Sequence, residues 1–129
     1  MPARAEDWYK QARHDLEHAC HALEGGDFDW ACFAAQQAAE KALKALYQKA
    51  GGEARGHSVY GLLRSLPPEF TPEAGLLEGA KGLDKHYIPA RYPNAYPEGA
   101  PCEYYTRAEA ERAIDHAEQI LRFCDRHLA

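Results

Sequence analysis

Apolar residues recur every three or four positions along most of the chain, a spacing that is typical of amphipathic helices. The first such stripe runs from Ala5 to Leu23, and Gly25-Gly26 follows it. A second stripe runs through the alanine-rich stretch "FAAQQAAEKALKAL" and ends at Gly51-Gly52. Because glycine readily adopts the left-handed conformation that closes a helix, each glycine pair marks a helix end. The pattern therefore predicts a long antiparallel hairpin of two helices.

Three further helices are expected after this hairpin. Ser58 can cap a short one that ends before Pro67-Pro68, since proline cannot continue a helix. The run Thr71-Pro72-Glu73 is a start signal for the fourth helix. The sequence "TRAE", beginning at Thr106, is a capping box for the last. With no alternating strand pattern, we expect an all-α fold: an antiparallel bundle of about five helices in a single domain, residues 1–129.

A proline-rich segment separates the fourth and last helices. Its prolines stand at every fourth position, at Pro89, Pro93, Pro97 and Pro101. Connections longer than ~12–15 residues without structure of their own are uncommon and often functional. Arg91 could form a bidentate hydrogen bond with a phosphate or a carboxylate, and Tyr87, Tyr92 and Tyr96 offer ring faces and hydroxyls. A stiff connector whose tyrosines pack on the bundle explains the same residues, so local composition leaves both interpretations open.

Composition narrows the class of protein. With 129 residues, 46% of them hydrophobic, the chain can bury one sizeable core, and disorder is not expected. The net charge of −5 provides no overall attraction for a nucleic-acid backbone. The sequence contains no apolar run of membrane-spanning length and no charged-then-apolar leader, so we expect a soluble, cytoplasmic protein without a membrane partner.

Cysteine and histidine provide no strong metal signal. The four cysteines lie far apart without a CxxC pair, which favours reduced thiols. Three histidines share the face of the first helix opposite its apolar stripe; they are His14, His18 and His21. Such spacing can bind a divalent cation, but no HExxH glutamate accompanies it. A solvated polar face is the preferred interpretation, and no metal site is predicted.

The second helix carries polar residues on one side. Gln37, Glu40, Lys41 and Lys44 are expected there. Glu40 and Lys44 form an i, i+4 pair in the favourable order, and helix stability explains them adequately. The functional alternative is that Lys41 or Lys44 meets a phosphate or an acidic partner.

Four segments together resemble the HEPN family, named for proposed nucleotide binding in higher eukaryotes and prokaryotes. They are "DLEHA", "FAAQQAAEKALKAL", "HSVYGLL" and "HYIPARYPNA", and the resemblance covers nearly the whole chain. It implies an antiparallel helical bundle that forms a homodimer. It also implies a separately encoded minimal nucleotidyltransferase as partner, in pairs that often behave as toxin–antitoxin modules.

Many members of this family resemble metal-independent ribonucleases, with an arginine followed after four to six residues by a histidine. The arginine would stabilise the phosphate and the histidine would move the proton. This chain matches the arginine at Arg91 but has Tyr96, Pro97 and Glu98 at the histidine positions. A tyrosine with a pKa near ~10 is a poor proton shuttle at neutral pH. This RYP-type variant therefore resembles the nucleotide-binding or partner-binding branch of the family.

Two hypotheses follow from the resemblance. In the first, the chain is a non-catalytic homodimeric subunit that docks a nucleotidyltransferase and contributes to a nucleotide or phosphate site, for a ligand such as ATP and with no other cofactor. The expected ligand contacts are Arg91, Tyr92, Asn94, Tyr96 and Lys85, with secondary contacts from Gln37, Lys41, Lys44, His57 and His86. The hydroxyl of Tyr96 is also a candidate acceptor for a nucleotidyl group from the partner.

In the second hypothesis, the chain is a metal-independent endoribonuclease toxin of a toxin–antitoxin module. Arg91 would be catalytic, and His86 or His57 would fold back toward it in the dimer. RNA is expected as a partner only under this second hypothesis.

Overall fold

The structure is a computed structural model that describes the chain from residue 3 to residue 129, and it contains no strand in that range. Six helices follow one another, with a 3-10 turn at Pro93–Ala95 between the fourth and fifth. The helices are α1 (Ala3–Glu24), α2 (Phe28–Lys49), α3 (Val59–Arg64), α4 (Ala74–Asp84), α5 (Pro101–Tyr104) and α6 (Arg107–Leu128). The predicted all-α bundle is confirmed; the additional helix, α5, is a single turn inside the proline-rich segment.

Helix α2 is the centre of the bundle. It packs against α1 as the predicted hairpin and also contacts α3, α4, α5 and α6. The alanines of α2 that face the bundle, from Ala31 to Ala45, are buried. Because alanine has a small side chain, the neighbouring helices can come close to α2. Leu43 and Leu46 are completely buried among them. Truncating either leucine to alanine would cost about 2–5 kcal/mol of stability.

Local hydrogen bonds fix the starts of α3 and α6 where the sequence predicts them. The Ser58 hydroxyl accepts a bond from Gly61 N at 2.9 Å and so caps α3. At the start of α6, Thr106 Oγ1 accepts from Glu109 N while the Glu109 carboxylate accepts from Thr106 N. Between α1 and α2, Gly26 has a φ of 81°, the left-handed conformation that favours glycine.

The predicted start of α4 is wrong by two residues. Glu73 is the residue that precedes the helix, and the hydroxyl of Thr71 donates instead to the carbonyl of Pro68 at 3.0 Å. The Thr71 side chain therefore stabilises the preceding turn, in which Phe70 N also donates to Pro67 O. A local turn has taken the hydroxyl that the sequence assigns to the helix cap.

The proline-rich segment is ordered by its own tyrosines. The rings of Tyr96 and Tyr104 stack with centroids 4.4 Å apart. The Tyr96 hydroxyl donates to Pro89 O at 3.1 Å, and the Tyr104 hydroxyl donates to Glu98 O at 2.7 Å. Ala90 is buried, which anchors the segment to the bundle. Part of the segment is thus a structural connector.

The remaining features concern the surface and the thiols. No helix within residues 3–129 is both long and apolar enough to cross a membrane. The three histidines of the first helix are exposed, as expected for a solvated face; they are His14, His18 and His21. All four cysteines are free. Burial raises the pKa of Cys32 to about 12 and also raises the pKa of Cys124.

Candidate functional site

Arg91 lies inside a cage of three aromatic rings. Its guanidinium carbon is 4.3 Å from the ring centroid of Phe33, 4.7 Å from that of Tyr87 and 5.0 Å from that of Tyr92. These distances are within the range of cation–π attraction. The Nε atom donates to the carbonyl of Tyr87 at 2.8 Å. The terminal nitrogens of Arg91 form no hydrogen bond or ion pair with any residue from 3 to 129.

The cage is built from two separate parts of the chain. Phe33 is on α2, whereas Tyr87 and Tyr92 flank the turn that follows α4. In that turn, the carbonyl of Ile88 accepts from Arg91 N at 3.0 Å and from Tyr92 N at 3.2 Å. The turn brings the Arg91 side chain back onto Phe33, so the aromatic rings and the carbonyl position the guanidinium before any ligand arrives.

A buried polar network lies on α2, close to this cage. Glu40 is only 4% exposed, although the sequence placed it on the polar side of the helix. Lys44 Nζ donates to Glu40 Oε2 at 3.0 Å, and His57 Nδ1 is 3.2 Å from the same oxygen. Gln36, which is completely buried, donates to Glu40 Oε1 at 3.3 Å, as does Gln37. These partners compensate for the loss of water around a carboxylate and explain why Glu40 can be in the core.

His57 connects the buried network to the cage. Its ring stacks on that of Tyr87, with centroids 4.6 Å apart and planes inclined by 16°. A carboxylate at Nδ1 favours the tautomer with the proton on that nitrogen, which leaves Nε2 as the acceptor. The contacts therefore run without a break from Glu40 through His57 and Tyr87 to Arg91.

A small cavity adjoins the cage and shares Phe33 with it. Its volume is about 230 Å³, and its walls include Trp30, Phe33, Gln37 and Lys41. Trp30 meets Phe33 edge to face at 6.0 Å and is 50% exposed. Lys41 Nζ donates to Asp15 on α1 at 2.7 Å, so this lysine is held by an ion pair. The cavity combines an aromatic platform with polar groups beside the Arg91 cage.

The structure brings together only some of the residues predicted for the site. Tyr92 belongs to the cage itself. Lys44, His57 and Gln37 are joined through Glu40, as described above, and Lys41 lines the adjoining cavity.

The other predicted contacts lie elsewhere in the segment. Asn94 is exposed in the 3-10 turn. The Tyr96 hydroxyl donates to the carbonyl of Pro89, and the Tyr96 ring stacks on Tyr104. Lys85 and His86 line a different cavity, against α6.

The sequence did not predict Phe33 as a site residue or the burial of Glu40. It indicated Tyr87 as a stacking ring but did not pair that ring with Arg91. Phe33 stands four residues before Gln37, so both occupy one face of α2, and this spacing was a usable signal. The burial of Glu40 had no such signal, because the residue that covers it, His57, comes from a distant loop.

The helical architecture and the HEPN family model agree. The model of the HEPN domain matches residues 5–127, and the chain belongs to the HEPN family.

Relatives of known structure cover nearly all of the chain. The crystal structure of TT1696 from Thermus thermophilus is similar with a TM-score of 0.95 and 53% identity, covering 97% of this chain and 98% of that one. ST0689, an archaeal HEPN homologue, gives a TM-score of 0.84 at 46% identity, with complete coverage of both chains. The crystal structure of an HEPN domain protein from Thermotoga maritima has a TM-score of 0.78 and 44% sequence identity, covering 95% of this chain and 97% of that one.

The chain is also similar to a protein that is named as a toxin. The chain is 31% identical over 126 residues to the "Putative toxin MJ1304" of Methanocaldococcus jannaschii, covering 91% of this chain and 83% of that protein.

Proposed function

We propose that this HEPN-domain protein is a non-catalytic subunit whose Arg91 cage binds the phosphate of a nucleotide such as ATP. The observation that carries the proposal is the state of Arg91: three rings and one carbonyl bond position the guanidinium. Its terminal nitrogens remain available for an oxyanion, to which they can donate a bidentate pair of hydrogen bonds. Because the side chain is already positioned, little entropy is lost when the phosphate binds.

The exposed aromatic rings beside Arg91 suit the base of the nucleotide. Tyr92 is 48% exposed and Trp30 is 50% exposed, although both pack on rings of the site. Stacking on an aromatic face contributes about 1–3 kcal/mol per base and tolerates any base. These rings support binding of a nucleotide over binding of a simple phosphate at this cage.

The same surface supports the proposal of protein partners. Trp30, Ile88 and Tyr92 are large apolar side chains that remain exposed close to the cage. Exposed apolar surface next to polar groups is typical of interaction sites. We assign it to a second copy of the chain and to a separately encoded minimal nucleotidyltransferase. Light scattering of the purified protein and co-purification with such an enzyme test the two contacts, and a monomer that captures no enzyme contradicts them.

Nucleotidyl transfer to Tyr96 is part of this proposal: the phenol oxygen would attack the α-phosphorus of a nucleoside triphosphate held by the nucleotidyltransferase, pyrophosphate would leave, and the phenol proton would pass to solvent. The Tyr96 hydroxyl would have to leave the carbonyl of Pro89, and its ring is stacked on Tyr104. The transfer therefore requires the segment to open when the nucleotidyltransferase docks. Mass spectrometry after co-expression would detect a mononucleotide on the Tyr96 peptide, and an unmodified peptide counts against the transfer.

Calorimetric titration with ATP tests the central claim. We expect saturable binding by the wild-type protein and at least a tenfold loss of affinity in Arg91→Ala, since one charged two-pronged contact disappears. Arg107→Ala is the matched control, because Arg107 also lies over a ring, that of Phe28, at 5.1 Å. Binding that is absent from the wild type, or lost equally in both variants, would overturn the proposal.

A second candidate function is a metal-independent endoribonuclease toxin. The observation that favours it is the pairing of His57 with the Glu40 carboxylate while its ring contacts Tyr87, the residue that holds Arg91. In this function, His57 Nε2 would accept the proton of an RNA 2′-hydroxyl as its oxygen attacks the adjacent phosphorus. The 5′-oxygen would leave with a proton from water, giving a 2′,3′-cyclic phosphate, and Arg91 would stabilise the charge on the phosphate. His86 suits this role less, because its Nδ1 is 3.0 Å from the Tyr105 hydroxyl on the far side of the segment.

Incubation with RNA in the presence of a metal chelator distinguishes the two functions. A ribonuclease would cleave RNA as wild type and lose that activity in both His57→Ala and Arg91→Ala. Intact RNA after prolonged incubation with the wild-type protein rejects this second function and leaves the binding subunit.

A further inference from the structure

A second cluster of basic side chains lies outside the Arg91 cage, between the end of α4 and the first turns of α6. It surrounds a cavity of about 230 Å³ whose titratable lining residues are Lys85, His86, Glu109, Arg112 and His116. None of these residues has a role in the proposed function above.

Two glycines of α4, Gly79 and Gly82, lie against His116 at this cavity. A Cβ atom added at Gly79 would lie 2.7 Å from His116 Nδ1, and one added at Gly82 would lie 3.8 Å from His116 Cδ2. The first distance is shorter than any ordinary contact, so His116 takes its position because Gly79 has no side chain. Two glycines one turn apart thus let an imidazole from α6 lie flat against α4.

His86 lines the cavity just after the end of α4. Its Nδ1 is 3.0 Å from the Tyr105 hydroxyl, and this contact leaves Nε2 without a partner among residues 3–129. Burial is the main cause that lowers the pKa of His86; Glu109 acts against it, and Lys85, Arg112 and His116 act with it. The ring is therefore neutral at pH 7 and acts as a positioned hydrogen-bonding group there.

The charge balance of the cavity favours an anion. Lys85 and Arg112 form no ion pair within the described part of the chain. The one acid, Glu109, uses its Oε1 atom to accept from Thr106 N and Thr106 Oγ1 at 3.1 and 3.2 Å. Two unpaired cations thus face one carboxylate, of which one oxygen bonds to the helix cap, in a chain whose net charge is −5.

We propose that this cavity is a second ligand site that binds a single phosphate group, either as free phosphate or as the terminal group of a phosphomonoester. Arg112 can form a bidentate contact and Lys85 adds a point charge, while His86, after α4, and His116, on α6, complete the contacts. The cavity is smaller than the ~300–1,000 Å³ of sites for whole small molecules, so it selects one phosphate group.

Titration with inorganic phosphate, followed by nuclear magnetic resonance of the histidine ring protons, tests the site. The His86 and His116 signals are assigned by their loss in His86→Gln and His116→Gln. At constant ionic strength we expect both signals to shift and saturate, with about tenfold weaker binding in Arg112→Gln. The matched control is Arg122→Gln, on the same helix but paired with Glu118 at 3.6 Å. It should bind phosphate as the wild type does.

A second variant separates this site from the Arg91 cage. Arg91→Ala should leave the phosphate titration of His86 and His116 unchanged. The nucleotide site at Arg91 and the phosphate site in this cavity can therefore fail independently of each other. Adenosine monophosphate that competes with phosphate in Arg91→Ala identifies a phosphomonoester as ligand, whereas saturation by inorganic phosphate alone identifies the free anion. Signals that do not saturate, or that respond equally in Arg112→Gln and Arg122→Gln, overturn the proposal.

Discussion

The ring of His57 lies flat on the ring of Tyr87, with centroids 4.6 Å apart. This contact joins two parts of the molecule that the sequence keeps separate. On one side, His57 Nδ1 meets the buried carboxylate of Glu40; on the other, the Tyr87 carbonyl accepts from Arg91 Nε. The position of Arg91 therefore depends on a residue in the core of α2, and variants of that core should alter both stability and the site.

Glu40→Gln should destabilise the protein. The amide keeps the size of the carboxylate but loses its charge, so the bond from Lys44 at 3.0 Å and the contact with His57 are weakened in a buried place. We expect a loss of about 1–3 kcal/mol in the free energy of unfolding, measured by urea denaturation. Glu118→Gln is the matched control, since the Glu118–Arg122 pair is largely exposed and should contribute less than ~1 kcal/mol. Equal effects of the two substitutions would contradict the structural role of Glu40.

Phe33→Leu should weaken nucleotide binding without removing Arg91. Leucine fills much of the same space but has no ring to attract the guanidinium, which lies 4.3 Å from the Phe33 centroid. Since an exposed cation–π contact contributes about 0.5–1 kcal/mol, ATP affinity should fall about two- to fivefold by calorimetry. Phe28→Leu removes the ring beneath Arg107 and should leave the affinity unchanged. An unaltered affinity in Phe33→Leu would show that the cage does not position Arg91 for the ligand.

Much of the fold could be predicted because its signals are local. The Thr106 capping box and the Ser58 cap bond to residues three positions away, and the glycine at Gly26 relieves strain at its own φ angle. Where a local signal had two possible uses, prediction was wrong: the Thr71 hydroxyl bonds to the turn before it and not to the start of α4. Local chemistry predicts helix ends well only when no neighbouring turn competes for the same group.

The site could be predicted only in part, because its contacts join distant residues. Arg91 and Tyr92 were found in one short segment, but the ring beneath Arg91 belongs to Phe33 on α2. Lys85 and His86 are close to Arg91 in sequence, yet they follow the last turn of α4 and line the cavity against α6. Periodicity describes which face of a helix a residue occupies; it does not say which loop will cover that face.

The four thiols should react in an order set by burial. Cys102 is exposed, whereas Cys32 and Cys124 are buried and burial raises their pKa values, so the reactive thiolate is rare there. Alkylation of the native protein should label Cys102 first and leave Cys32 and Cys124 unlabelled until denaturant is added. Mass spectrometry of peptides measures the order, with Cys102→Ser as the control that loses the fast label. Rapid labelling of Cys32 in native protein would indicate that α2 is less well packed than described.

His86 should make the protein less stable in mild acid. Its pKa in the folded state lies below the ordinary value of ~6.5, mainly because of burial, with Lys85, Arg112 and His116 acting in the same direction and Glu109 against it. Between the two pKa values the unfolded chain binds the proton more readily than the folded one. The contribution of neutral His86 is therefore complete above pH ~6.5 and is lost progressively as the pH falls below it.

Urea denaturation at a series of pH values checks this dependence. His86→Gln cannot take up the proton, so its stability should fall less steeply than that of the wild type as the pH decreases below ~6.5. His14→Gln removes an exposed histidine of α1 and should retain the wild-type slope. If all three proteins lose stability in parallel, the acid sensitivity has another source, and burial of His86 does not determine it. If the free energy of unfolding changes less with pH in His86→Gln alone, the group responsible for the acid sensitivity is His86, in the cavity that we propose for phosphate. An anion bound there should then favour protonated His86 and reduce the loss of stability in acid, because its charge opposes that of the imidazolium.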